Sequence, residues 1–174
     1  GELHHMVAGF EDISAEKQRE LERIAYIDHI TGGGNYAHFK KTLRDCREPG
    51  YLISMDIHDF KIINSICGII KGDETLKNIW RCIEKSLTSK DLAAHINADR
   101  FAIYCRCDDK DEVIECIHKI GEGLKDITEA LKIPNIIPYY GISHWEHGKK
   151  VEEAYSEANF AKNQVKERKD RHGA

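Results

Sequence analysis

Residues 56–76 read "DIHDFKIINSICGIIKGDETL", and this stretch decides the fold. It opens on Asp56, which ends the apolar run "YLISMDI" of residues 51–57. A nearly continuous apolar run of that length reads as a strand buried on both faces, and so central in a sheet. Acids are poor strand formers and costly to bury unpaired. A carboxylate at the end of a central strand therefore marks the sheet edge, where open α/β sheets place ligands. Phe60, Ile63 and Cys67 follow at helical spacing. Leu76, Ile79, Ile83 and Leu87 then form the apolar stripe of a longer helix. Between them Gly68 and Gly72 let the backbone approach a ligand closely. Asp59 reads as a charge at a helix N-terminus. Taken singly, Asn64 is a surface helix residue and Asp73 a helix cap.

Outward from this stretch the periodicity alternates between helix and strand. On the N-terminal side, residues 1–13 read as irregular, and "SAEKQRELERIAYIDHI" as a helix with a serine start and early acids. "TGGGN" breaks that helix. "YAHFKKTLRDC" is a short second helix with Phe39 and Leu43 four apart, and Pro49-Gly50 is a turn. On the C-terminal side, residues 92–107 form a hairpin around "NADR". Next come an amphipathic helix through Val113, Ile117, Ile120, Leu124 and Ile127, a strand at "IIPYYGIS", and a last helix through Val151, Ala154, Ala158, Ala161 and Val165. The expected architecture is α/β (α+β): a central mixed, mainly antiparallel sheet of about five strands flanked by helices.

The bulk numbers narrow the functions. The 174 residues suit one domain with short extensions, and 41% hydrophobic against 32% charged residues is ordinary for a globular chain. A net charge of −4 argues against a general nucleic-acid binder. No apolar stretch approaches the roughly 18 residues that cross a membrane. None of the six cysteines forms a CxxC pair, so buried reduced thiols are expected rather than a zinc site. The ten histidines are scattered, and "HWEH" at residues 144–147 reads as a solvated loop.

Together, Asp56, Phe60, Lys61, Ile63, Asn64, Gly68, Gly72, Asp73 and Leu76 resemble, without a gap, the signature segment of the GGDEF (diguanylate cyclase) family. "YIDHITGGGN" resembles that family's D-x-L-T-G-L-x-N motif through Asp28, Thr31, Gly32 and Asn35. "YYGIS" resembles its late S-x-G strand, and "AYSEANFAK" its closing helix. The resemblance covers residues 24–166. It places the family's namesake Gly-Gly-Asp/Glu-Glu-Phe turn at Asn97-Ala98-Asp99-Arg100-Phe101, where only the third and fifth positions agree.

The resemblance implies a nucleotide-cyclase-like fold and a reaction joining two GTP molecules into cyclic di-GMP across a dimer. It makes Asp56, the Ile57 carbonyl and Asp99 the Mg2+ ligands. Asn64 and Asp73 would read guanine, and Lys61, Lys162 and Lys166 would contact phosphates. Arg100 stands where the family uses a catalytic glutamate, so no catalytic residue is intact and Mg2+ is expected to be weakened. Asn97 tolerates a left-handed turn conformation, whereas Ala98 tolerates it poorly. The family's inhibitory product site falls on residues 88–91. There the arginine is replaced by Thr88 although Asp91 remains, so this site is expected to be absent.

The domain reading is a linker or signalling helix over residues 1–23 after a PAS-like sensor, a GGDEF domain over 24–168 and a tail over 169–174. The expected role is a catalytically degenerate, GTP-binding regulatory module of bacterial cyclic di-GMP signalling, next to an EAL phosphodiesterase domain. The alternatives are an active diguanylate cyclase and an interaction module without nucleotide. A homodimer is an open partner; nucleic acid and membrane contact by this segment are not expected. The expected location is the cytoplasm, alone or within a membrane-anchored sensor.

Overall fold

The central strand is β1 (Gly50–Ile57), and its alternation organises the molecule. The computed structural model describes residues 2–173. In chain order it contains α1 (Glu2–Tyr26), α2 (Tyr36–Asp45), β1, α3 (Phe60–Cys67), α4 (Ile69–Ser86), β2 (Leu92–Asn97), β3 (Arg100–Cys105), α5 (Lys110–Leu131), β4 (Pro138–Trp145) and α6 (Val151–His172). Successive strand residues point to opposite faces. Ile53, Met55 and Ile57 enter a core shared with α3, α4 and α5. Leu52 enters a second core, shared with α2 and α6. Both faces of β1 are thus covered, which is why its sequence runs apolar without alternation. Ile53 and Met55 are fully buried, and each such side chain contributes about 1.5–3 kcal/mol.

The sheet has the order β2-β3-β1-β4. It has four strands rather than about five, and it is not mixed, because all three pairings are antiparallel. The α3–α4 crossover brings the chain back to β2 in the same direction as β1, but β3 folds in between them. The hairpin therefore removes the parallel neighbour that a helical crossover would otherwise create.

Other expectations shift at the ends of elements. Residues 2–13 are not irregular but part of α1. The exposed Leu21 and Ile24 lie on that helix. Residues 169–172 continue α6. His144 and Trp145 belong to β4 rather than to a loop, and Trp145 is buried against Tyr104. Its indole N–H donates to the Lys149 carbonyl at 3.1 Å, which satisfies the polar atom of an otherwise apolar ring.

Gly141 sets how closely α6 approaches the sheet. A Cβ there would run into the Ala158 carbonyl and the Lys162 backbone nitrogen. Gly141 pairs with Ser54 of β1. The missing side chain thus lets α6 lie directly over the strand that carries Asp56.

Candidate functional site

Asp56 lies on the α6 face of β1 and is 6% exposed. Two α6 lysines, one helical turn apart, reach the same oxygen. Lys166 Nζ lies 2.5 Å and Lys162 Nζ 3.2 Å from Asp56 Oδ2. Lys162 also donates to Ser54 Oγ at 3.2 Å. At 2% exposure this ammonium is almost wholly desolvated. Burial pushes its pKa below the ordinary lysine range, although Asp56 works in the opposite direction. Lys166 is half-buried and also faces the Tyr139 ring, 5.5 Å from its centroid.

The hairpin turn brings the second carboxylate to the same strand end. Ala98 and Asp99 are the two residues between β2 and β3. Contrary to expectation, the left-handed conformation falls on Ala98 (φ +45°) and not on Asn97. A two-residue hairpin loop needs positive φ at its first central position, and the register puts Ala98 there. Asp99 Oδ2 accepts the Ile57 N–H at 3.0 Å, continuing the ladder by a side chain. Arg100 donates to the Tyr155 hydroxyl of α6 at 3.2 Å. Its guanidinium also disfavours the charged form of Lys162, so the cations share one region. Two carboxylates, Asp56 and Asp99, face three cations, Lys162, Lys166 and Arg100. The group is one positive charge in excess.

A buried polar link fixes the turn from beneath. His95 Nδ1 lies 2.9 Å from Asp28 Oδ1, with side chains 1% and 8% exposed. His95 Nε2 bonds the Ala98 carbonyl at 2.7 Å. Both ring nitrogens lie within reach of an oxygen. Asp28 also accepts from Thr31 N–H (2.7 Å) and Thr31 Oγ (2.8 Å). Burial alone would raise the Asp28 pKa, but the Thr31 and His95 donors outweigh it and hold the carboxyl below its ordinary range. The loop after α1 is thereby joined to the signature turn.

Asn64 and Asp73, the expected guanine readers, are both half-buried. Gly72 makes room for the Asn64 amide, since a Cβ on Gly72 would fall on Asn64 Oδ1. Lys61 is exposed on α3, and Asp59 is an exposed, left-handed residue before α3 whose side chain makes no cap bond. Thr88 and Asp91 close a turn at the wall of a cavity of about 150 Å³. Thr88 N–H and Oγ donate to Asp91 Oδ2 at 2.8 and 2.9 Å, and Arg106 N–H to Asp91 Oδ1 at 2.9 Å.

For a metal, the decisive atom is Asp56 Oδ1, which is buried and has no hydrogen-bond partner. A hard carboxylate oxygen left open in this way fits Mg2+. Among the described residues, however, no group of three or more His, Cys, Asp or Glu could hold a metal ion. The residues fit Mg2+ as it is usually bound, by one or two carboxylates with substrate phosphates supplying other ligands. The motif reading assigned no role to His95, Tyr155, Ser54 or Gly141. Only the YYGIS motif gave a signal for any of them, at Gly141; the other three matter through contacts between distant segments.

Residues 25–172 match the family model described as diguanylate cyclase, GGDEF domain. The chain is 29% identical over 128 residues to the probable diguanylate cyclase DgcC of Escherichia coli K12, covering 70% of this chain and 33% of that protein. It is 30% identical over 107 residues to the cyclic di-GMP phosphodiesterase PdeB of Shewanella oneidensis, covering 59% of this chain and 12% of that protein. It thus spans a third or less of these two relatives. Its fold is that of the coiled coil and GGDEF domain of DgcB from Caulobacter crescentus, solved with c-di-GMP. The TM-score is 0.80 at 18% identity, over 95% of this chain and 92% of that one. With the family model spanning nearly the whole chain, this protein belongs to the diguanylate cyclase GGDEF-domain family of cyclic di-GMP signalling.

Proposed function

We propose that this chain is a catalytically degenerate GGDEF domain that binds GTP and regulates a neighbouring output domain. One observation supports the reading: Arg100 follows Asp99 in the turn and is held by its bond to Tyr155, at the position where the motif resemblance expects the family's catalytic acid. In this reading Asn64 and Asp73 bind the guanine edge, amide to acceptor and carboxylate to N–H. Lys162 and Lys166 bind phosphate oxygens, with Lys61 at the exposed rim. Asp56, the Ile57 carbonyl and Asp99 would hold Mg2+, which neutralises phosphate charge when bound. The excess cation count suits a polyanionic nucleotide, whereas a guanidinium cannot take a proton from an attacking hydroxyl. Binding and turnover are thereby uncoupled. Similarity to the cyclic di-GMP phosphodiesterase PdeB supports a role beside a cyclic di-GMP-hydrolysing domain, for which an EAL phosphodiesterase domain is the proposed neighbour.

The competing reading is an active cyclase. It is supported by retention of Asp56 and Asp99 and by similarity to DgcC. Incubation with GTP and Mg2+ separates the two: the degenerate reading expects bound GTP without cyclic di-GMP, and measurable product would overturn it. An interaction module without nucleotide would show no GTP binding at all.

A further inference from the structure

Asp56 carries two ammonium groups on one oxygen while its other oxygen stays open. Lys166 and Lys162 both reach Oδ2, at 2.5 and 3.2 Å. The buried Oδ1 has no hydrogen-bond partner. The two lysines are held differently. Lys162 is 2% exposed and also donates to Ser54 Oγ, which fixes it between α6 and the sheet. The Lys166 side chain is 32% exposed. Among the described residues, Asp56 is the one hydrogen-bond acceptor that its ammonium reaches. The Tyr139 ring lies beside it, and Lys169 faces that same ring at 5.1 Å.

An ammonium has three N–H donors. Lys166 spends one on Asp56, and its open side keeps the others for oxygens that arrive from outside. The charge balance points the same way. Lys162 and Lys166 already offset the charges of Asp56 and Asp99, and Arg100, held by Tyr155, adds a further positive charge. A divalent cation entering the free site therefore meets no net negative charge. Mg2+ relies on one or two carboxylates together with phosphates, and here one of those carboxylates is taken by the protein's own cations.

We propose that Lys166 is a tethered cation that competes with Mg2+ for Asp56 and takes its place there. The consequence is that phosphate oxygens bind without a divalent metal, because the ammonium bridges carboxylate and phosphate through separate N–H groups. Lys166 has this role rather than Lys162, because Lys162 is also committed to Ser54 and is sealed from solvent. The inference rests on Asp56 and Asp99 being the metal carboxylates of the proposed GTP site, and it names the cation that neutralises the phosphates there.

The test is a Mn2+ titration of the nucleotide-free whole chain, with the free ion read by electron paramagnetic resonance. Lys166→Gln and Lys166→Met should bind Mn2+ at least about tenfold more tightly than wild type. Lys166→Arg keeps the charge and should stay with wild type. Adding Asp56→Asn to Lys166→Gln should cancel the gain, which places the ion at Asp56. Either neutral variant suffices if the other does not fold. As a second readout, GTP affinity of the neutral variants should fall about tenfold in EDTA and recover in Mg2+. Equal Mn2+ affinity in wild type and the neutral variants overturns the proposal, as does a loss of GTP affinity that Mg2+ does not restore. The Mn2+ comparison uses no nucleotide, so the expected gain beside a wild type that binds no GTP would overturn the proposed function and leave the competition at Asp56 standing.

Discussion

Replacing His95 by alanine cuts the link between the loop after α1 and the signature turn, and its cost follows from the contacts. The lost interactions are the buried contact at 2.9 Å to Asp28, the bond at 2.7 Å to the Ala98 carbonyl, and packing on Phe101 at 4.9 Å between ring centroids. Breaking a buried pair costs about 3–5 kcal/mol when the partner is stranded. Asp28 is not stranded, because Thr31 still donates twice to its other oxygen. The lower end applies, about 3 kcal/mol, which lowers Tm by about 6–12 °C in a domain of this size. Asp28→Asn keeps the shape and loses the charge, at about 2 kcal/mol. Urea unfolding of both variants and the double variant gives the coupling energy, expected near 1.5–2 kcal/mol. A coupling below about 0.5 kcal/mol would show that the two side chains do not act as a pair. The pH dependence has a definite sign. Asp28 has a depressed folded pKa, so its stabilisation is full above the unfolded value of about 3.9 and is lost as pH falls through the folded value. The advantage of wild type over Asp28→Asn must therefore shrink as pH falls below about 4.

Three further changes probe the site. Gly72→Ala adds a favourable helix residue but displaces the Asn64 amide. GTP affinity should fall about tenfold by titration with little loss of stability, the equivalent of one hydrogen bond. An unchanged affinity would remove Asn64 from the guanine site. Lys162→Met relieves a buried ammonium while Lys166 still holds Asp56. Tm at neutral pH should hold or rise while GTP affinity falls at least about tenfold. Since the folded pKa of Lys162 is lowered, wild-type stability rises with pH through that value, and the methionine variant lacks that rise. Arg100→Glu moves the local charge by two units, each worth at most about 4 kcal/mol at 4 Å and an effective dielectric of 20. Mg2+ should then strengthen GTP binding by about tenfold or more in the variant and hardly in wild type, measured by calorimetry. Equal Mg2+ dependence would exclude Arg100 as the obstacle.

What the sequence made legible was local. Hydrophobic periods located β1, α3 and α4, and Phe39 and Leu43 identified the buried face of α2. The motif order around Asp56, Asn64, Asp73 and Lys162 identified the family. What it hid depends on pairing between distant segments. The sheet could not be read as wholly antiparallel, because nothing in β1 or β2 states that β3 lies between them. Ala98 looked unsuited to a left-handed conformation. The hairpin register imposes it there, and His95 holds the carbonyl of that residue. Trp145 looked like a loop residue because its burial depends on Tyr104 of another strand. Tyr155 gave no motif signal, since its role is to meet Arg100, fifty-five positions away.

The most direct measurement is a single experiment with two readouts on the wild-type chain: GTP binding by calorimetry, with and without Mg2+, and cyclic di-GMP formation by chromatography of the same samples. The account predicts saturable GTP binding in both conditions and no cyclic di-GMP. Formation of cyclic di-GMP by the wild-type chain would contradict it.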